Sequence, residues 1–156
     1  MEQGTMEQRL SIITLGVADL QRAKAFYDAL GWKVASDASV EEIVAYDLQS
    51  MALAIYPWEK LAKDANVPAE RSGYSSFSIA HNLNTEEEVS ELLSKIPEAG
   101  GTILKPATKA FWGGFSGCFA DPDGHIWEIA FNPYAKLGPN GEFQWNGVTS
   151  NDETNC

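Results

Sequence analysis

The chain has 156 residues, 44% hydrophobic and 21% charged, which is typical of one soluble globular domain. Its formal net charge of −11 argues against binding to nucleic acid, whose phosphates need a basic surface. The two isolated cysteines, Cys118 and Cys156, form neither a disulfide framework nor a cysteine-based zinc site. No apolar run approaches the ~20 residues of a membrane span, and the opening "MEQGTMEQR" is no secretory signal, so we expect a cytoplasmic protein without a membrane partner.

The first half of the chain predicts a strand, a helix and three short strands. "RLSIITLGV" alternates and is rich in β-branched residues, so it is the first strand. Asp19 then caps a helix that ends at Gly31. The three strands are "WKVAS", "EEIVAYDLQ" and "MALAIYPW", with polar turns at "DAS" and near Gln49. A polar connector follows, in which we expect a short helix at Trp58–Lys63.

The second half repeats this plan. "YSSFSIAHN" is the strand, and Thr85 with Glu88 has the spacing of a capping box at a helix start. Pro97 and the following Gly100 end that helix. "GTILKP", "GGFSGCFAD" and "GHIWEIAFN" are again three strands, the last two joined by an Asp-Pro-Asp-Gly turn. Both helices carry an apolar stripe at helical spacing: Ala23, Phe26, Tyr27 and Leu30 in the first, and Val89, Leu92, Leu93 and Ile96 in the second.

Each half therefore has the order β-α-β-β-β, and neither could bury its helix-facing side alone. A duplicated unit explains this better than chance. The prediction is a single domain over residues 9–133, with module one at about 9–58, a connector at 59–72 and module two at about 73–133. Residues 134–156 form a C-terminal extension with a small hairpin at Pro-Asn-Gly and a frayed end.

Two segments, "LGVADLQRAKAFYDALGWKV" and "FWGGFSGCFADPDGHIWEIAFNP", resemble the vicinal oxygen chelate superfamily. That group contains glyoxalase I, extradiol dioxygenases, fosfomycin-resistance enzymes and bleomycin-resistance proteins. The resemblance implies an α+β fold in which two βαβββ modules form one cup-shaped domain, usually as a homodimer. In the metal-using members, one side chain from each of four strands binds a divalent ion in the cup.

The resemblance places the four ligand positions, all lining the cup, at Ile12, Leu53, Ser76 and Glu128, and strand alternation independently directs Ile12, Ser76 and Glu128 there. Only Glu128 has a side chain suited to a metal, and one strong ligand does not make a metal site. His125 and His81 fall on the opposite face by parity. We therefore expect no metal cofactor.

Glu128 remains as a lone carboxylate in an apolar strand. It has three alternative roles: a structural group satisfied by neighbours, a general base, or the anchor of a cationic or donor ligand. Our preferred hypothesis is a small-molecule-binding protein with no metal, whose ligand is planar or cationic. An aromatic lip around Gly113-Gly114 would close over the ligand, although core packing explains those aromatics equally well. The predicted ligand-binding residues are Thr14, Ser76, Ser78, Phe111, Trp112, Phe115 and Trp58.

Two other functions stay open. The first is a lyase or isomerase of the glyoxalase-like type that uses Glu128 as its base or as a metal ligand. The second is a regulatory or stress-response module whose main partner is another protein, which predicts a filled cup and an exposed apolar patch elsewhere.

Overall fold

A computed structural model describes residues 4–36 and 40–149. Helices and strands follow the predicted order, so the mixed α+β class with two similar modules is confirmed. The elements are β1 (Ile12–Val17), α1 (Leu20–Ala29), β2 (Val44–Asp47), β3 (Ala52–Pro57), α2 (Trp58–Ala65), β4 (Ile79–Leu83), α3 (Glu86–Ala99), β5 (Thr102–Lys109), β6 (Phe115–Ala120) and β7 (Ile126–Phe131).

The strands form two sheets with the orders β1-β3-β2 and β4-β7-β6-β5. In each module the first strand lies parallel to the last one, and the remaining pairs are antiparallel. The predicted strand "WKVAS" is not a regular strand in the described residues, but the Ala35 N–H donates to the Ala45 carbonyl at 2.8 Å and holds this segment beside β2. The turn predicted at "DAS" lies outside the described residues.

Both main helices begin at the residues that the sequence indicates. Asp19 Oδ1 accepts from the Arg22 N–H at 3.0 Å, and Thr85 Oγ1 accepts from the Glu88 N–H at 3.1 Å. These bonds satisfy backbone donors that the first helical turn leaves free. Pro97 does not end α3, because near the C-terminus it costs a single backbone bond. The helix ends instead at Gly100, whose φ of +109° favours glycine.

One face of each sheet packs against the helices, and we call the other the open face. The side chains of Leu15 and Ile55 in the first sheet, and of Trp127 and Ile129 in the second, belong to one common core with both helices. Because the helix-facing sides of both sheets contribute to this core, both open faces point away from it.

The C-terminal extension packs onto this body. Ala135 and Leu137 are buried, and the Val148 N–H donates to the Lys136 carbonyl at 2.8 Å. A turn closed by Gly138 and Glu142 lies where a hairpin was predicted, without paired strands. The frayed end predicted beyond Thr149 lies outside the described residues. Within residues 4–36 and 40–149, no helix has the length and apolar character needed to cross a membrane.

Candidate functional site

Glu128 lies in the middle of the open face of the second sheet. On β7 it is paired with Ala80 of β4 on one side and with Cys118 of β6 on the other. Lys105 of β5 continues this row next to Cys118, because an irregularity in pairing between Ile103 and Lys105 changes which face of the sheet the lysine occupies. The row Ala80–Glu128–Cys118–Lys105 is the candidate site.

The Glu128 side chain is half-buried, and within the described residues its carboxylate makes no hydrogen bond or ion pair. Within the described residues, Thr14 and the serines expected to satisfy it make no hydrogen bond to it. Ser76 and Ser78 both precede β4, and Ser76 has a φ of +57°, so neither belongs to the regular strand. A carboxylate held on a sheet face without a partner is free to accept hydrogen bonds from a ligand or from water.

The pKa of the Cys118 thiol depends on its burial and on the charges of its neighbours in the row. Burial and the negative charge of Glu128 raise the pKa of the Cys118 thiol, and the positive charge of Lys105 opposes them. The thiol therefore stays protonated at neutral pH, which makes it a poor nucleophile.

The predicted aromatic lip is only partly present. Phe115 lies on the helix-facing side and packs against the core, because β6 alternates and Gly117 and Phe119 share that side with it. The expectation that Phe115 faces a ligand beside Glu128 is therefore wrong. Phe111 is fully exposed, and the half-exposed Trp112 ring packs over Gly114 in the turn between β5 and β6.

Trp58 and Thr14 belong to the first module. Trp58 begins α2, and the Arg71 guanidinium lies 5.7 Å from its ring centroid. Thr14 lies on the open face of the first sheet, next to Ala54. Within the described residues, neither Trp58 nor Thr14 is paired with or hydrogen-bonded to Glu128.

The two histidines lie where strand parity places them. His125 Nε2 lies 2.7 Å from the Gly16 carbonyl, which fixes the ring against the first module. His81 lies on the helix-facing side, where burial lowers its pKa. Neither imidazole is a neighbour of Glu128.

Asp123 is a structural residue that the sequence did not single out. Its side chain is only 1% exposed, and Oδ1 accepts from the Ala18 N–H at 2.8 Å and from Arg22 at 3.0 Å. Arg71 of the connector adds a bond to the Asp123 carbonyl at 2.6 Å. The Asp-Pro-Asp-Gly turn thereby attaches the second module to the first. The only sequence signal was the turn motif itself, which reports local geometry and not its distant partners.

The family model of the Glyoxalase/Bleomycin resistance protein/Dioxygenase superfamily matches residues 9–129. The chain belongs to this superfamily. A glyoxalase-related enzyme from Fulvimarina pelagi is 38% identical, with a TM-score of 0.81 over 90% of this chain and 99% of that one. A hypothetical protein from S. aureus is 25% identical, with a TM-score of 0.70 over 82% and 96% of the two chains. No curated protein matches the chain.

More distant structures of the superfamily share the fold alone. A lactoylglutathione lyase from Agrobacterium tumefaciens is 20% identical, with a TM-score of 0.60 over 82% of this chain and 96% of that one. Its activity therefore does not transfer to this chain by similarity.

The metal that many superfamily members bind does not fit the residues present here. Ile12 is on the open face and 59% exposed, but has no donor atom. The expectation that Leu53 shares that face is wrong: it pairs with Ile13 and Tyr46 and is buried in the core. The open-face positions of β3 are Ala52 and Ala54, which also lack donors. In the described part of the chain, no group of three His, Cys, Asp or Glu side chains could hold a metal ion.

Proposed function

We propose that this superfamily member binds a small organic molecule on the open face of the second sheet, with Glu128 as its anchor and without a metal. The observation that carries the proposal is the unpaired, half-buried Glu128 carboxylate. A partly desolvated carboxylate interacts most strongly with a cation or with two parallel N–H donors. The small side chain of Ala80 beside it leaves room for a flat group on the sheet.

A second copy of the chain would complete this site as a homodimer. The open faces of the two sheets point away from the common core, where a second copy can cover them. Ile12 on one open face and Ala80 on the other are exposed, as expected for surfaces that a partner covers. In this arrangement Thr14 of one copy would lie near Glu128 of the other.

An enzyme is the second candidate, and the relative described as a glyoxalase-related enzyme, 38% identical, favours it. Glu128 would then remove a proton from a carbon next to a carbonyl group and return it to the neighbouring atom. Such an isomerisation is balanced without a co-reactant, and it needs a carboxylate with a free oxygen.

Benzamidinium is a suitable probe, because it is planar and cationic and has two parallel N–H donors. We expect its titration into ¹⁵N-labelled protein to shift the backbone amides of Ala80, Cys118 and Glu128 in a saturable way. Glu128→Gln should abolish these shifts, whereas Glu98→Gln on the exposed side of α3 should leave them unchanged. Shifts that persist in Glu128→Gln would overturn the proposal.

Metal analysis tests whether the site binds its ligand without a metal, and sedimentation tests whether two copies of the chain share the site. Protein purified without chelator should carry far less than one equivalent of zinc, nickel or iron per chain, and should not turn over methylglyoxal with glutathione. About one equivalent of metal, lost in Glu128→Gln, would overturn metal-free binding. Monomers at micromolar concentration that still bind benzamidinium would overturn the shared site, and monomers that do not bind it would favour a protein-interaction role.

A further inference from the structure

A small cavity lies on the helix-facing side of the second sheet, away from the Glu128 row. Its volume is about 90 Å³, and it is lined by residues from the end of α1 and the segment after it, from α3 and from strands β4, β6 and β7. Trp127 of its wall is adjacent to Glu128 on β7, so its side chain points to the opposite face. The cavity is therefore separate from the site proposed above.

Aromatic rings form most of the wall and hold one another in place. Tyr27 and Trp32 are stacked, with centroids 5.5 Å apart. Trp32 meets Trp127 edge-on at 5.8 Å, and Trp127 is stacked with Phe119 at 6.1 Å and an interplanar angle of 4°. A cavity walled by mutually packed rings does not collapse easily, because no single ring can move without displacing its neighbours.

His81 contributes to this wall a polar group that is free to bind a ligand. The Tyr27 hydroxyl already donates to Asp121 at 2.7 Å and accepts from Trp127 Nε1 at 3.1 Å. Within the described residues the His81 imidazole makes no hydrogen bond, and burial lowers its pKa. The ring is therefore neutral near pH 7, with one nitrogen as donor and the other as acceptor.

The cavity has room for a single ring only if part of the ring stays at the opening. An apolar cavity of roughly 150 Å³ holds a benzene molecule and stays free of water. The present cavity is smaller, but His81 lies partly exposed at its edge, so a ring can enter and keep one substituent at the opening.

We propose that this cavity is a second binding site, specific for a neutral five- or six-membered aromatic ring that carries one hydroxyl or N–H group. The ring packs against Trp32 and Trp127, and its polar group bonds to His81. The site uses no residue of the Glu128 row and functions whether or not that row binds a ligand.

Phenol and toluene are matched probes, because they have nearly the same shape and differ in one hydroxyl group. In the full chain we expect phenol to shift the indole Nε1–H signals of Trp32 and Trp127 in a saturable titration. Toluene should bind roughly fivefold more weakly, as the loss of one hydrogen bond implies. His81→Phe should remove the difference between the two probes, and Glu128→Gln should leave both affinities unchanged.

Leu92→Phe fills the cavity from α3 and should abolish binding of both probes, with the fold checked by the unshifted amides of the first module. If Leu92→Phe does not fold, the comparison of phenol and toluene in His81→Phe tests the site by itself. The side chain at position 81 lies at the opening of the cavity, so this substitution does not overfill the core. Shifts without saturation show an adventitious additive only. That result, or a phenol preference that survives in His81→Phe, would overturn the proposal.

Discussion

The Tyr27 hydroxyl donates to Oδ2 of Asp121 over 2.7 Å and joins α1 of the first module to the turn after β6 in the second. Asp121 is 3% exposed, and its other oxygen accepts from the N–H groups of Asp123 and His125 at 2.9 Å each. Burial, followed by the negative charge of Asp121, raises the pKa of Tyr27 well above its usual range. The hydroxyl therefore stays protonated, and this buried carboxylate is satisfied from both modules.

Tyr27→Phe should lower the free energy of unfolding by about 2–3 kcal/mol, because it leaves Asp121 and the Trp127 indole with one partner fewer in a buried place. Urea unfolding with linear extrapolation measures the loss. The control is Tyr46→Phe, whose hydroxyl donates to the half-exposed Asp28 at 3.0 Å. Water can replace that bond, so we expect about 1 kcal/mol. Equal losses in the two variants would contradict the role of Asp121.

Asp123→Ala should cost about 2–4 kcal/mol, because it removes a buried carboxylate from the Ala18 N–H and from Arg22. Besides this loss in the free energy of unfolding, hydrogen exchange at the Ala18 amide should become faster, because the amide loses its hydrogen-bond acceptor. Arg22→Gln is the control, and since Arg22 is half exposed it should cost less than about 1 kcal/mol. An unchanged exchange rate at Ala18 in Asp123→Ala would show that the turn does not attach the modules.

Local signals predicted most of the fold. The caps at Asp19 and Thr85 and the alternation around Trp127 depend on neighbours in sequence, and the structure has them as expected. Leu53 was assigned to the wrong face, because "MALAIYPW" is apolar on both sides and gives no alternation to read. Its face is set by pairing with Ile13 and Tyr46, which are distant in sequence.

The site was less predictable than the fold, because it too depends on pairing between residues that are distant in sequence. The glycines beside Phe115 suggested a flexible lip, but the pairing of Phe115 with Phe131 on β7 directs it to the core. Cys118 pairs with Glu128 in the regular ladder of β6 and β7, whereas the place of Lys105 in the row depends on a pairing irregularity in β5. Irregularities of this kind leave little trace in a single sequence.

Replacing Glu128 should change the reactivity of Cys118. Burial and the charge of Glu128 both raise the pKa of the thiol, so Glu128→Gln should lower that pKa and speed alkylation by iodoacetamide near pH 8. Lys105→Gln should raise the pKa of the thiol and slow alkylation, because the positive charge of Lys105 lowers that pKa. The rates are measured against pH with Cys156, which lies outside the described residues, replaced by serine. Identical pH profiles in all three proteins would mean that the row is not arranged as described.

Gly117 has no room for a side chain. A Cβ atom there would lie 2.6 Å from Leu93 Cδ1 and 2.8 Å from the Lys105 carbonyl oxygen, so Gly117→Ala forces α3 or β5 to move. We expect a loss of about 1–3 kcal/mol in urea unfolding. Gly124→Ala is the comparison: nothing lies within 4 Å, and only its φ of +86° opposes the change. That backbone strain costs about 1–2 kcal/mol, and a loss of less than about 1 kcal/mol at Gly117 would contradict the close packing of α3 on β6.

His81 should make the stability of the chain depend on pH. Burial lowers its pKa in the folded state below the ordinary value of 6.5, so between these two values the unfolded chain binds more protons. The stabilising contribution is therefore complete above about pH 6.5 and is lost as the pH falls toward the folded pKa. His81→Leu should remove this dependence, so its stability relative to wild type should rise from pH 8 to about pH 5 in urea unfolding. The control His125→Gln should keep the pH dependence of the wild type. If the free energies of unfolding of wild type and His81→Leu changed in parallel with pH, His81 would not be desolvated.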